Sequence, residues 1–171
     1  MIDWTAIGTI IAILSAISAI VALLIELRMS RIALGTSTLL SLADQMDCDR
    51  MRHLRRTAAQ NLLGNVAPNH ELGEVLNFFA QIAFLYEMRA INRDLTYKQF
   101  SWWAVRWWHC GEDYVRAERT LDPTGWMTLE RVAVILKEQE EKDGYKPVSY
   151  QAEALKTFLE EEAALPRIPV S

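Results

Sequence analysis

From Trp4 to Ile25 the chain reads WTAIGTIIAILSAISAIVALLI, 22 residues without a charge. At about 1.5 Å per residue a helix of that length is roughly 33 Å long, enough to cross a hydrocarbon core. The run predicts a single N-terminal transmembrane helix. A buried helix of a soluble protein rarely stays uncharged for so long. A cleaved signal peptide would open with basic residues and carry a shorter apolar stretch. Here Asp3 is the only charge before the run, which fits a retained anchor.

Beyond the run the apolar positions recur at three and four, the helical period, and no stretch alternates with a strand period. Thr36 to Leu63 carries Leu39, Leu42, Met46, Leu54, Ala58 and Leu62 and ends at Gly64. Gly35 either breaks the first helix or is run through. Residues 64–70 read as a loop, and Glu71 to about Ala90 as the next helix. Asp94 is a candidate N-cap for a long helix to about Arg119. TLDPTG at 120–125 reads as a turn. Trp126 to Asp143 is amphipathic and closed by Gly144, and Ser149 caps a last helix to about Leu165. The expected fold class is therefore all-α: one transmembrane helix followed by a cytosolic helical bundle. Residues 1–34 form the membrane helix with its juxtamembrane extension, 36–165 the helical domain and 166–171 a tail.

Charge sets the orientation. Arg28 and Arg31 follow the span, so the positive-inside rule places the N-terminus outside and the domain in the cytoplasm of a bacterial inner membrane. In that reducing compartment the two cysteines, Cys48 and Cys110, are free thiols. The net charge of −4 argues against general duplex binding.

The span is uneven around its axis. Thr5, Gly8, Ala12, Ser15, Ala19 and Ala22 form a row that Glu26 continues, and Ile7, Ile10, Leu14, Ile17, Val21 and Leu24 form the opposite row. Lipid does not sort residues by size, whereas a helix partner does, because small residues permit close approach. The stripe predicts a homo-oligomer. It is dry packing in a small assembly, or the wetted lining of a pore in a ring.

Two clusters could carry chemistry. On the long aromatic helix, Phe100, Trp103, Trp107, Cys110 and Tyr114 share a face that reads as core, while Trp102, Arg106, His109 and Asp113 share another. That second face suits a subunit interface or base stacking. In DRMRHLRR, residues 49–56, Arg52, Arg55 and Arg56 cluster. They belong to a solvated helix balanced by Asp44, Asp47 and Asp49, or they hold a phosphate, or they form ion pairs across an oligomer. The sequence has no Gly-rich phosphate loop, no zinc spacing, no Glu-x-x-His and no nucleophile constellation. No cofactor and no catalytic residue are assigned, and an enzyme is the weaker expectation.

Residues 74–108, EVLNFFAQIAFLYEMRAINRDLTYKQFSWWAVRWW, resemble a family of small bacterial membrane-anchored helical proteins of unknown function. The resemblance rests on Phe78–Phe79, the Ile82–Ala83 step, the acidic turn at Asn92–Asp94 and a Trp at 107 or 108. The family often has an acid just after the aromatic pair, where Ala80 and Gln81 stand here. The architecture is similar to the accessory membrane protein of type VI CRISPR systems, a divergent HEPN-like domain on a membrane helix. That likeness implies a membrane pore in antiviral defence. Active HEPN ribonucleases have an Arg, four to six intervening residues and then a His. Arg50–His53 and Arg106–His109 are too closely spaced for that site. The expected function is an oligomeric pore or channel-like effector in antiphage or CRISPR-associated defence. The alternatives are a membrane-anchored sensor of a nucleotide or oligonucleotide, and a passive anchoring subunit. The expected partners are further copies of the chain, the lipid bilayer, such a signal and a defence-system protein.

Overall fold

The computed structural model describes residues 4–66, 70–144 and 150–166, with side chains from Ser18 onward. The described residues form six helices and no strand. Helix α1 spans Trp4–Asp47, α2 Asp49–Leu63, α3 His70–Glu87, α4 Arg93–Glu118, α5 Met127–Lys142 and α6 Ala152–Ala163. The all-α expectation holds. Among the described residues no helix is long and apolar enough to cross a membrane. The expected span falls largely on residues 4–17, whose side chains lie outside the described ones.

Helix α1 runs through Gly35, so the expected boundary between anchor and domain lies inside one continuous 44-residue helix. The reason is local. A Cβ on Gly35 would stand 2.9 Å from the Ala90 carbonyl oxygen and 3.6 Å from the Ile91 Cα. Glycine is used here for close approach to the α3–α4 turn, not to end a helix. The expected single helix over Thr36–Leu63 is corrected to two, because the chain bends at Cys48. That residue is extended (φ −67°, ψ 154°), and its Sγ accepts from the Met51 amide at 3.5 Å to cap α2. Apolar spacing could not reveal the bend, since Met46 and Leu54 both face the core on either side of it.

The other ends are set by local hydrogen bonds. α2 closes with Asn65 at φ 50° and the Val66 amide on the Asn61 carbonyl at 2.9 Å. α3 closes the same way with Arg89 in the left-handed position at φ 53° and Ala90 N–H on Leu85 O at 3.0 Å. The N-cap of α4 is Asn92, not the expected Asp94. Asn92 Oδ1 accepts from the Leu95 amide at 3.0 Å, while Asp94 falls inside the first turn, where its charge suits the helix dipole. Before α5, Asp122 accepts from both the amide and the hydroxyl of Thr124, which holds its carboxyl below the usual range. Ser149 lies outside the described residues, and α6 opens after an extended Gln151.

α3 is the centre of the bundle. Val75, Leu76, Phe79, Ile82 and Ala83 are all buried, and α3 packs against α2, α4 and α5. α6 lies on α2 and touches α4, with Trp107 and Phe158 edge to face at 5.6 Å. Of the described side chains of α1, those in its last turns join the core, through Leu39, Leu42 and Met46, and the helix packs against α2. On α4, Ala104 to Trp108 are five consecutive buried residues. A surface helix exposes one face to water; this stretch is covered on every side.

Candidate functional site

Two features stand out: an apolar rod and a pair of buried charge clusters. The rod is α1 between Ser18 and Leu34, where every residue is exposed. Ile20, Val21, Leu23, Leu24, Ile25 and Leu27 each expose between 48% and 61% of their surface. No described residue covers them, although their burial from water would be favourable by roughly 25 cal/mol per Å². Of the small-residue stripe, Ala19, Ala22 and Glu26 are exposed. Thr5, Gly8, Ala12 and Ser15 lie outside the described side chains. Both rows of the described rod are therefore open, the large residues Val21 and Leu24 as much as the small ones.

The arginine run does not form one open patch. Arg55 is 3% exposed and points into the bundle. Its Nε and Nη2 donate to the two carboxylate oxygens of Glu162 at 2.6 and 2.5 Å, and Nη1 donates to the Met46 carbonyl at 3.3 Å. This fork spans α2 and α6. Arg52 pairs with Asp47 at 3.4 Å. Arg56 reaches the Leu165 carbonyl at 3.4 Å and the His53 ring at 3.0 Å. Arg50, on another side of the helix, meets Glu74 at 3.2 Å. Arg52 and Arg55 still line a groove of about 380 Å³ beside Trp103, Asp47 and Leu165.

The second face of α4 is similarly divided. Arg106 is 1% exposed and stacks over the exposed Trp102 ring, 3.2 Å from its centroid. Its Nη1 donates to Trp102 O at 2.8 Å and lies 3.5 Å from Glu140. Tyr150 Oη donates to the same Glu140 carboxylate. Burial raises the Tyr150 phenol, and this hydrogen bond raises it further. His109 is half-buried, pairs with Glu112 at 2.6 Å and lies against Tyr150. It lines a groove of about 550 Å³ between α4 and α5, with Arg119, Glu130 and Lys137. On the core-facing side, Phe100 and Trp107 are fully buried. Burial pushes the Cys110 thiol up to about 12, and both cysteines are free.

Arg55 and Arg106 thus meet internal carboxylates, each half of a buried ion pair. Their partners Glu162 and Glu140, with Tyr150, were not singled out by the sequence reading. A signal existed: Glu162 continues the apolar row of Phe158 and Leu159, and Glu140 continues that of Leu129, Val132 and Leu136. An acid on the apolar stripe of a helix must be paired or pay heavily for dehydration. Among the described residues no group of His, Cys, Asp or Glu could hold a metal ion. Comparison of the chain with protein-family models, curated proteins and solved structures finds no match.

Proposed function

We propose that the chain is a single-pass membrane protein that self-associates through α1 and acts as a pore or channel-like effector in bacterial antiviral defence, with its helical domain on the cytosolic side. The exposed rod carries the reading. An isolated helix with large apolar residues open on all sides is costly in water and is satisfied by lipid or by copies of itself. The uncharged run Trp4–Ile25, continuous with that rod, supports the bilayer as its cover. The small-residue stripe supports self-association. The resemblance to the type VI CRISPR accessory protein supports the defence role.

The test is the mass of the detergent-solubilised protein by light scattering, followed by ion flux from liposomes containing the same sample. A defined oligomer of four or more subunits that conducts is expected, with ion selectivity altered in Glu26→Gln. A monomer or dimer that passes no ions counts against the pore. The sensor reading keeps the groove beside Trp103, where Arg52 is partly open. It requires salt-sensitive nucleotide binding that Arg52→Glu abolishes.

A further inference from the structure

The end of the domain from which the rod emerges has its own chemistry. Gly35 sets α1 against the backbone of Ala90 and Ile91, so the α3–α4 turn sits where the rod leaves the bundle. The turn exposes Met88 (65%), and the first turn of α4 exposes Leu95 (45%). Beside them stand Arg89 and Arg93, also exposed. Arg93 is fixed at the turn by Tyr86, with its guanidinium 4.8 Å above the ring and Nε on the Tyr86 carbonyl at 3.4 Å. Arg89 occupies a left-handed backbone position that glycine fills at lower cost. On α1 the neighbouring turns carry Arg28 and Arg31.

Among the described residues Arg28, Arg31 and Arg89 enter no ion pair. The acids of this end are few. Glu87 is engaged by both nitrogens of the Arg131 fork at 2.8 and 2.9 Å, which leaves Glu26 and Asp94 against four arginines. The chain as a whole is acidic, at −4. The apolar surface of α1 also continues past Ile25 through Leu27, Met29, Ile32 and Leu34. These apolar residues are interleaved with the exposed Glu26, Arg28 and Arg31, and they reach Leu34, next to Gly35 at the turn.

We infer that the α3–α4 turn is a second membrane contact, a docking site for the anionic phospholipid headgroups of the bilayer that α1 enters. Met88 and Leu95 enter the interface as shallow anchors. Arg89 and Arg93, with Arg28 and Arg31, bind lipid phosphates. The positive charge beside exposed apolar residues, next to a helix with a 22-residue uncharged run, commits the site to an anionic lipid surface. Docking fixes the tilt of the bundle on the membrane, and anionic lipid becomes a requirement for one orientation of the assembly. The inference rests on the membrane reading proposed above, and the test separates the two.

Full-length protein with Cys48→Ser receives one reporter cysteine, at Val21→Cys, Met88→Cys or His70→Cys. Each variant is labelled with bimane and reconstituted in vesicles of phosphatidylcholine alone or with 30% phosphatidylserine. Quenching by spin-labelled lipid is then measured. The expected result is quenching at position 21 in both compositions, quenching at 88 that is strong with phosphatidylserine and weak without it, and none at 70. Each arginine removed should lower the docking equilibrium about fivefold, so Arg89→Ala with Arg93→Ala lowers it about 25-fold. Quenching at 21 without quenching at 88 overturns the docking site and leaves the anchor standing. Equal quenching at 88 in both compositions, or no loss in the double variant, overturns recognition of anionic headgroups. No quenching at 21 or 88 overturns the membrane reading, and the docking site with it.

Discussion

Replacing Glu162 by alanine should unfold the helical domain more readily than any surface substitution. The carboxylate accepts two hydrogen bonds from Arg55, at 2.6 and 2.5 Å, and the two side chains are 4% and 6% exposed. Without Glu162 the Arg55 guanidinium keeps its place in the core with the Met46 carbonyl at 3.3 Å as its remaining acceptor. Breaking a buried pair from one side costs about 3–5 kcal/mol, because a charge is left dehydrated and uncompensated. Domains are stable by about 5–15 kcal/mol, so the loss is a large share of the total. For a domain of this size it lowers Tm by roughly 10–20 °C. Thermal and urea unfolding in mild detergent, followed by tryptophan fluorescence, reads it directly, since Trp103 and Trp107 both lie near α6 or Arg55. The double variant Arg55→Met with Glu162→Leu removes both charges and should recover most of the loss. A single variant within about 1 kcal/mol of the native protein would refute the argument, because it would mean that water reaches the guanidinium.

Three further outcomes follow from the same geometry. Gly35→Ala drives a methyl against the Ala90 carbonyl at 2.9 Å, so α1 must shift from the turn at about 1–3 kcal/mol; faster amide exchange across residues 36–47 is the readout. Cys110, with its thiol pushed up to about 12 by burial, should resist maleimide at pH 8 while the exposed Cys48 reacts; two labelled thiols in the native state would contradict this. The hydrogen bond from Arg131 holds the Glu87 carboxyl below its ordinary value of 4.5. A lowered folded-state value means that the pair's contribution is complete above about pH 4.5 and fades as pH falls below it. Stability should therefore lose part of its acid dependence in Glu87→Gln, measured by urea midpoints between pH 3 and 6.

The residues most visible in the sequence were not the ones that the fold uses as it first suggests. The tryptophan-rich helix and the arginine run at 50–56 draw attention in the sequence, yet Arg55 and Arg106 hold α2 to α6 and α4 to α5. Glu140 and Glu162 stand among other acids, in EQEEK and EEEA, and nothing in those runs marks one acid from the next. Their place on the apolar row was the only local clue. Periodicity likewise ran straight across Cys48, where a sulfur cap turns the chain. The cap of α4 moved from Asp94 to Asn92 because two residues with the same capping chemistry stand two apart, and only the direction of the incoming chain chooses between them.

What the sequence determined alone is whatever depends on neighbours three and four residues apart. The helical class, the uncharged run, the loops at 64 and 120 and the core face of Phe100, Trp107 and Tyr114's helix all follow from that period. Pairing is a different matter. Arg55 and Glu162 are 107 residues apart, and no local rule joins them; an arginine is stable in a core only where the packing of two distant helices delivers a carboxylate. The same holds for Gly35, whose role depends on the turn 55 residues later. Tertiary structure decided which charges are internal cement and which are left on the surface.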